Sequence, residues 1–325
     1  MQIELPGLFD LQVNGFAGVD FNNPATTSDD LFRAMEKIRA TGVTRFLPTL
    51  ITSSFERFAQ CARTLTQLSH PAIAGLHMEG PYIAPEDGPR GAHPREFVTD
   101  ASIDDFKRRQ DAADGKIRLV TLSPEVPGAI ALMEHLVGNG VRVAIGHTAA
   151  TPEQIRDAIK AGASLSTHLG NGCAQLLPRH PNFIWEQLAA DELVASLIVD
   201  GHHLPAATVK VMVRAKAPAR TILISDATGA AGCPPGQYEL SGATVVLDEN
   251  GRVSQPGKPW LAGSALCLDQ AIANAVRMTG LPLETVWAMA STQPANYLGL
   301  QPAGKVTVNW DANGFRLTEL KVNGA

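Results

Sequence analysis

The chain has little cysteine and no surplus of basic charge. Its four cysteines, Cys61, Cys173, Cys233 and Cys267, are scattered with no Cys-x-x-Cys spacing. That excludes a zinc ribbon and a disulfide scaffold and fits a reducing compartment. Lys and Arg total 27 against 32 Asp and Glu, a formal net charge of −5. With no basic footprint, nucleic acid is not an expected partner. No apolar run approaches the ~18 residues of a membrane span. The segment MQIELPGLFD lacks the basic flank and apolar stretch of a signal peptide. Together these absences predict a cytoplasmic protein with no membrane partner. There are no internal repeats and no low-complexity tract.

What is present points to a large buried core. Apolar residues make up 45% and charged residues 18% of the 325 positions, a balance that excludes disorder. Short β-like runs alternate with helical patterns, which predicts βα units and a parallel sheet. Eight strand candidates stand at 7–14, 44–50, 72–78, 117–122, 141–147, 164–168, 194–199 and 221–226. Residues 28–41 read as a helix opened by a Ser cap and closed before Gly42. Residues 151–161 open on Thr with Pro at the first helical position and stop at Gly162. Helical spacing recurs over 205–216 and 264–279. The expected fold class is α/β, a (β/α)8 TIM-type barrel over residues 6–300. Segment 237–256 alternates like a hairpin with Glu-Asn-Gly at its turn. The tail 303–325 alternates too, and with residues 2–5 it is expected to make a small β-structure. The expected division is therefore the barrel plus a small β subdomain from 1–5 and 301–325.

Four of the apolar runs end in a residue that can hold a metal or move a proton. IAGLHM precedes Glu79, VRVAIG precedes His147, SLST precedes His168 and TILIS precedes Asp226. The C-terminal ends of parallel strands are where barrels keep their chemistry. A carboxylate and two imidazoles suit a catalytic divalent cation such as zinc, which keeps three protein ligands and lowers the pKa of water toward ~7. Iron, cobalt and manganese accept the same donors. Asp226 would accept a proton from water and deliver it to a leaving group. The alternative is four buried polar residues satisfied by backbone.

Other residues of this pattern are ambiguous on sequence alone. Gln12 and Asn14, in GLFDLQVNG, are amides and weak metal ligands, so one metal is expected, with both lining the site through hydrogen bonds. Asp10 reads as a strand-end polar group and His77 as a core histidine. His203, in DGHHLP, could polarise a carbonyl, bind an anion or face solvent. His93 is open in the same way; it lies in a Gly- and Pro-rich stretch, 80–98, expected to bind substrate. Asn171 and Gly172, in HLGNGCA, offer backbone N–H groups to an oxygen-rich ligand. Arg179 and His180 could meet an anion or stand as solvated loop charges.

The strings PGLFDLQVNGFAGVDF, LPTLITS, GLHMEGPYIAP, RGAH, VAIGHT, STHLGN, DGHH, LISDATGAAG and LAGSAL occur in this order over residues 6–300. In that order they resemble the N-acetylglucosamine-6-phosphate deacetylase family of the amidohydrolase superfamily. The resemblance implies a barrel with a β-sandwich from both termini, here reduced. It implies a divalent metal on Glu79, His147 and His168, with Asp226 as acid and base, and Gln12 and Asn14 marking a single-metal branch. It also implies substrate contacts at Ala92, His93, Asn171, Gly172, His203 and the stretch Leu261, Ala262 and Gly263. Arg179 matches an arginine that meets the sugar phosphate, in some members across a dimer interface, so a homodimer is implied. The expected reaction is deacetylation of N-acetylglucosamine 6-phosphate. Two departures, Gly170 where an aromatic is usual and RHPNFIWEQ where Arg-Glu-Pro-Gly is usual, keep a second reading open: an unphosphorylated N-acetyl sugar, an N-acyl amino acid or a cyclic amide.

Overall fold

The computed structural model describes residues 2–68, 70–240, 242–257, 261–314 and 316–323. Eight parallel strands follow one another around a single sheet: β1 (Leu8–Val13), β2 (Val43–Ile51), β3 (Leu76–Glu79), β4 (Ile117–Leu122), β5 (Arg142–Ile145), β6 (Leu165–Ser166), β7 (Val194–Ile198) and β8 (Thr221–Ile224). A parallel bridge between Val13 and Ala227 joins the last strand back toward the first. Asp10 reinforces that seam by accepting the backbone N–H of Ser225. The (β/α)8 barrel is therefore present. Most of its strands are shorter than the apolar runs, whereas β2 is longer than 44–50 and β4 matches 117–122. The run 72–78 yields strand only from Leu76, because 70–73 form a turn that pairs with the sheet through a single Phe46–Ile73 bridge.

Helices cover the strands where capping and apolar spacing dictate. α1 (Ser28–Ala40) buries Leu31, Ala34, Met35 and Ile38, one face of the 3.6-residue period. Its cap is Thr27 rather than the expected Ser28: the Thr27 hydroxyl accepts from Asp30 N–H while the Asp30 carboxylate accepts from Thr27 N–H. α2 (Phe55–Gln67), α3 (Ile103–Ala112) and α4 (Ala129–Gly138) follow. α5 (Pro152–Lys160) has the expected Thr151 cap, with Gln154 completing the reciprocal pair. α6 (Phe183–Ala189), α7 (Ala206–Lys216) and α8 (Leu268–Thr279) complete the ring. The buried core runs continuously from the strands into these helices.

Two antiparallel sheets lie outside the barrel. Strand Gln2–Pro6 pairs with Lys305–Asp311, which pairs with Arg316–Asn323. Val306 and Val308 of its central strand are fully buried in the main core. The outermost residues of the expected terminal subdomain, Met1, Gly324 and Ala325, fall outside the described residues. The second sheet is not a simple hairpin. Gly236–Leu240 pairs with Ala243–Leu247, which pairs with Val253–Ser254. The expected Glu-Asn-Gly turn joins only the last two, where the Asp248 carboxylate accepts from Asn250 and Arg252 N–H. This sheet stands in the connection between β8 and α8 and keeps a small apolar cluster of its own.

Candidate active site

The barrel's C-terminal mouth collects the chemistry. Glu79 is the last residue of β3. His147, His168 and Asp226 each lie two residues beyond the end of β5, β6 and β8. These three leave the strand direction through left-handed backbone, with φ of 52°, 30° and 49°. Such conformations cost non-glycine residues about 1–3 kcal/mol each and persist where the surroundings impose them. They turn the three side chains toward the barrel axis.

There, Glu79 Oε1 lies 3.2 Å from His147 Nε2 and 3.0 Å from His168 Nε2, and the two imidazole nitrogens are 3.2 Å apart. All three side chains are buried. Two Nε2 atoms and one carboxylate oxygen converging in this way can offer three lone pairs to one cation. Four ligands around a tetrahedral ion with bonds of ~2.05 Å would stand about 3.3 Å apart, close to the separations found. Glu79, His147 and His168 could hold a metal ion. The loop 80–98 helps set this up. Pro89 carbonyl accepts from His147 Nδ1 at 2.9 Å, which leaves Nε2 as the lone-pair nitrogen. Burial alone would raise the Glu79 pKa, but the neighbouring His147 and His168 rings outweigh it and hold the carboxyl well below its usual range. Burial opposes protonation of His168, yet the Glu79 carboxylate prevails and moves its pKa upward.

Asp226 is tied to this cluster through an amide. Gln12 Nε2 donates to Glu79 Oε1 and to Asp226 Oδ1, both at 2.9 Å, and Asn14 Nδ2 donates to the same Asp226 oxygen at 2.7 Å. One neutral amide, that of Gln12, thus bridges the two carboxylates, while Asn14 adds a second donor to Asp226. Burial, and then the Glu79 charge, push the Asp226 pKa up to about 6.

His93 and His203 approach from opposite loops. The His93 ring centroid is 4.3 Å from that of His147, and its Nε2 lies 3.8 Å from Glu79 Oε2. Its Nδ1 is 2.8 Å from Thr52 Oγ1. Burial and the neighbouring His147 lower its pKa to about 3, so it is a neutral ring. His203 Nδ1 pairs with Asp200 Oδ2, and its electrostatic influence reaches Asp226. His202 is turned away and meets Asn250 carbonyl on the β8–α8 sheet.

The remaining candidates divide. Gly91, beside Ala92, and Gly172 flank the His147 ring: a Cβ at Gly172 would stand 2.9 Å from its Nδ1, and one at Gly91 3.4 Å from its Cε1. The Asn171 side chain binds His168 carbonyl. Leu261, Ala262 and Gly263 lead into Ser264, which runs beside the Asp226 loop through the Ala227–Ser264 bridge and the Thr228 N–H to Ser264 carbonyl bond. Arg179 is exposed and makes no hydrogen bond or ion pair among the described residues. His77 is a buried core residue, as expected, bonded to Thr121 Oγ1 at 2.8 Å and Thr49 Oγ1 at 3.3 Å.

Three supporting residues escape the sequence reading. Asp200 had a signal, an acid three positions before His203 in DGHH. Thr52, at the end of LITS, had only its place after a strand. Glu125 accepts from Thr148 Oγ1 and Ala149 N–H and so fixes the turn after His147; nothing in SPEVP marks it.

This geometry has counterparts in known proteins. The amidohydrolase family profile matches residues 3–317. An N-acetylglucosamine-6-phosphate deacetylase from Lysinibacillus sphaericus is 35% identical over 321 residues, 97% of this chain and 81% of that protein. The chain belongs to the amidohydrolase family and to its N-acetylglucosamine-6-phosphate deacetylase branch. An N-acetylgalactosamine-6-phosphate deacetylase from Escherichia coli is 34% identical over 332 residues, 98% of this amidohydrolase and 86% of that protein. The crystal structure of N-acetyl-D-glucosamine-6-phosphate deacetylase from Mycobacterium smegmatis superposes with a TM-score of 0.90 at 31% identity, covering 98% of this chain and 86% of that one. This amidohydrolase therefore shares fold and branch with proteins that carry these names. No helix among its described residues is long and apolar enough to cross a membrane.

Proposed function

We propose that this amidohydrolase removes the acetyl group of N-acetylglucosamine 6-phosphate, giving glucosamine 6-phosphate and acetate. The observation that carries the reading is the buried cluster of Glu79, His147 and His168 with Asp226 held beside it through Gln12. Glu79, His147 and His168 would hold one divalent cation, zinc by donor type, which when bound supplies Lewis-acid polarisation and an acidified water. Asp226 takes the proton of the attacking water and passes it to the amine nitrogen as the C–N bond breaks; the oxygen leaves with acetate. His93 and His203 donate hydrogen bonds to the carbonyl oxygen, where negative charge develops. The backbone at Asn171 and Gly172 and the stretches at Ala92 and Leu261–Gly263 wall the sugar.

A homodimer would complete the phosphate end. Arg179 is exposed and lies in the same loop as Leu176, which is 91% exposed, while Trp185 nearby is 51% exposed. A second copy covering these side chains would bring Arg179 to the neighbouring mouth. Four free cysteines support a reducing, cytoplasmic setting.

The test is acetate release from a panel of N-acetyl hexosamines. Asp226→Asn should remove most of kcat while metal content stays near one per chain; full activity in that variant would end the acid–base assignment. A preference for the 6-phosphate over the free sugar below about tenfold, ~1.4 kcal/mol of transition-state binding, would favour the unphosphorylated substrate instead. The galactosamine-phosphate deacetylase among the relatives gives a second epimer a place in the same panel.

A further inference from the structure

A cavity lies at the end of the barrel opposite the mouth. It is an open depression of about 280 Å³ where β4, β5 and the entry to β6 begin, lined by the exposed Arg118 and Arg142 and by Ser164, Val137 and Leu298, together with backbone at Gly140 and Gly162. Arg118 and Arg142 start neighbouring strands: Leu119 pairs with Arg142 in the sheet register. Neither guanidinium has a hydrogen-bond or carboxylate partner among the described residues, and no lining residue is acidic. The Arg142 guanidinium lies 5.4 Å from the Tyr297 ring centroid. Beside it the Tyr297 hydroxyl meets Ser164 Oγ at 3.0 Å. Val137, on the rim, is 41% exposed.

Two unpaired guanidiniums sharing one cavity form a site for a doubly charged oxyanion, because their planar forks match phosphate oxygens. The hydroxyl pair and the aliphatic wall of Val137 and Leu298 add contacts that a bare ion would not use. The volume lies just under the ~300 Å³ lower bound of ordinary small-molecule pockets, which limits the guest to a small metabolite. We propose that this basal cavity binds a small phosphomonoester of sugar-phosphate size, gripped by Arg118 and Arg142. The site is remote from Glu79, His147 and His168, and the proposal stands whatever the mouth of the barrel hydrolyses.

Calorimetric titration of the intact, metal-loaded protein tests it. The probes are glucosamine 6-phosphate, inorganic phosphate and unphosphorylated glucosamine. The variants are the double substitution Arg118→Gln with Arg142→Gln, and separately Val137→Trp, which fills the rim from an exposed position. Glucosamine 6-phosphate should occupy one more site per chain in the unmodified protein than in either variant, with at least tenfold weakening at that site. Deacetylation should be unchanged in both. Glucosamine should show no such difference. Equal stoichiometry in all three proteins, or a difference that persists with unphosphorylated glucosamine, would overturn the proposal. So would inorganic phosphate binding there as tightly as the ester, which would leave an ion site only. If the mouth does not bind the probe at all, the unmodified protein would still show one site and the variants none.

Discussion

Asp200 Oδ2 accepts a 2.6 Å hydrogen bond from His203 Nδ1, and Oδ1 of the same carboxylate accepts the backbone N–H groups of His202 and His203. The loop after β7 is thus wound around one acid. Burial would raise the Asp200 pKa, but the bonds from His203 outweigh it and hold it low. The pairing fixes the orientation of the imidazole ring. Asp200→Asn is expected to lower kcat/KM by roughly 10- to 100-fold, the usual cost of losing such an orienting partner, with metal content unchanged. Steady-state kinetics with metal analysis checks this; an unchanged kcat/KM would remove His203 from the reaction.

Gln12 separates two carboxylates that would otherwise face each other unscreened. With its amide removed in Gln12→Ala, the ionised form of Asp226 loses a donor and still faces Glu79, so its pKa rises further. In the proposed reaction Asp226 acts as a base only when ionised, so activity is expected to fall as pH drops through its pKa. The acid limb of kcat/KM should therefore move to higher pH, by roughly one unit. A pH profile that does not move would mean that the amide only fills space.

Asp10 ties stability to pH. Burial raises its pKa from 3.8 to about 7 in the folded protein. Between those values the folded state holds a proton that the unfolded chain has released, so this group's contribution to stability is lost as pH rises from about 4 to 7. Relative to Asp10→Asn, which does not titrate, the native protein should lose roughly 2–4 kcal/mol across that window. Urea unfolding at several pH values reads the difference directly.

His77 makes a different case. Its pKa is lowered to about 4 by burial, so it is neutral at working pH. Its ring bridges Thr49 and Thr121, and Thr121 Oγ1 continues to Thr167 Oγ1 at 2.7 Å. His77→Phe leaves the two threonine hydroxyls short of a partner and should cost about 1–3 kcal/mol. The urea midpoint should fall with the m-value unchanged, and by less at pH 6 than at pH 8, because at pH 6 the unfolded chain's histidine takes up a proton that the folded one does not.

The alternation of apolar runs and helical spacing was enough to read the barrel, and the capping pattern of α5 was legible residue by residue. Strand lengths were not, because an apolar run continues into the loop where His147, His168 and Asp226 adopt left-handed backbone, and periodicity carries no sign of that turn. The cluster itself was legible because each strand's end is marked by a change from apolar to ligating residues. Its supports were not. Pro89 acts through a carbonyl that any residue would present, and Thr52 and Glu125 reach their partners through tertiary proximity. The loop with Arg179 was placed by motif, and the Arg179 side chain makes no hydrogen bond or ion pair among the described residues.

The terminal sheet sets a clock on biosynthesis. Gln2 pairs with Asn309 and Pro6 with Lys305, so the strand Gln2–Pro6 finds its neighbour only after the residues between them have been made. At ~5–20 residues per second, the about 300 residues between these partners take roughly 15–60 s to leave the ribosome. Throughout that interval the segment Gln2–Pro6 is an unpaired edge next to a half-built cylinder, open to chaperones and to other nascent copies. Its alternating exposed and half-buried side chains, among them Glu4, make it a poor template for such unwanted pairing while it waits.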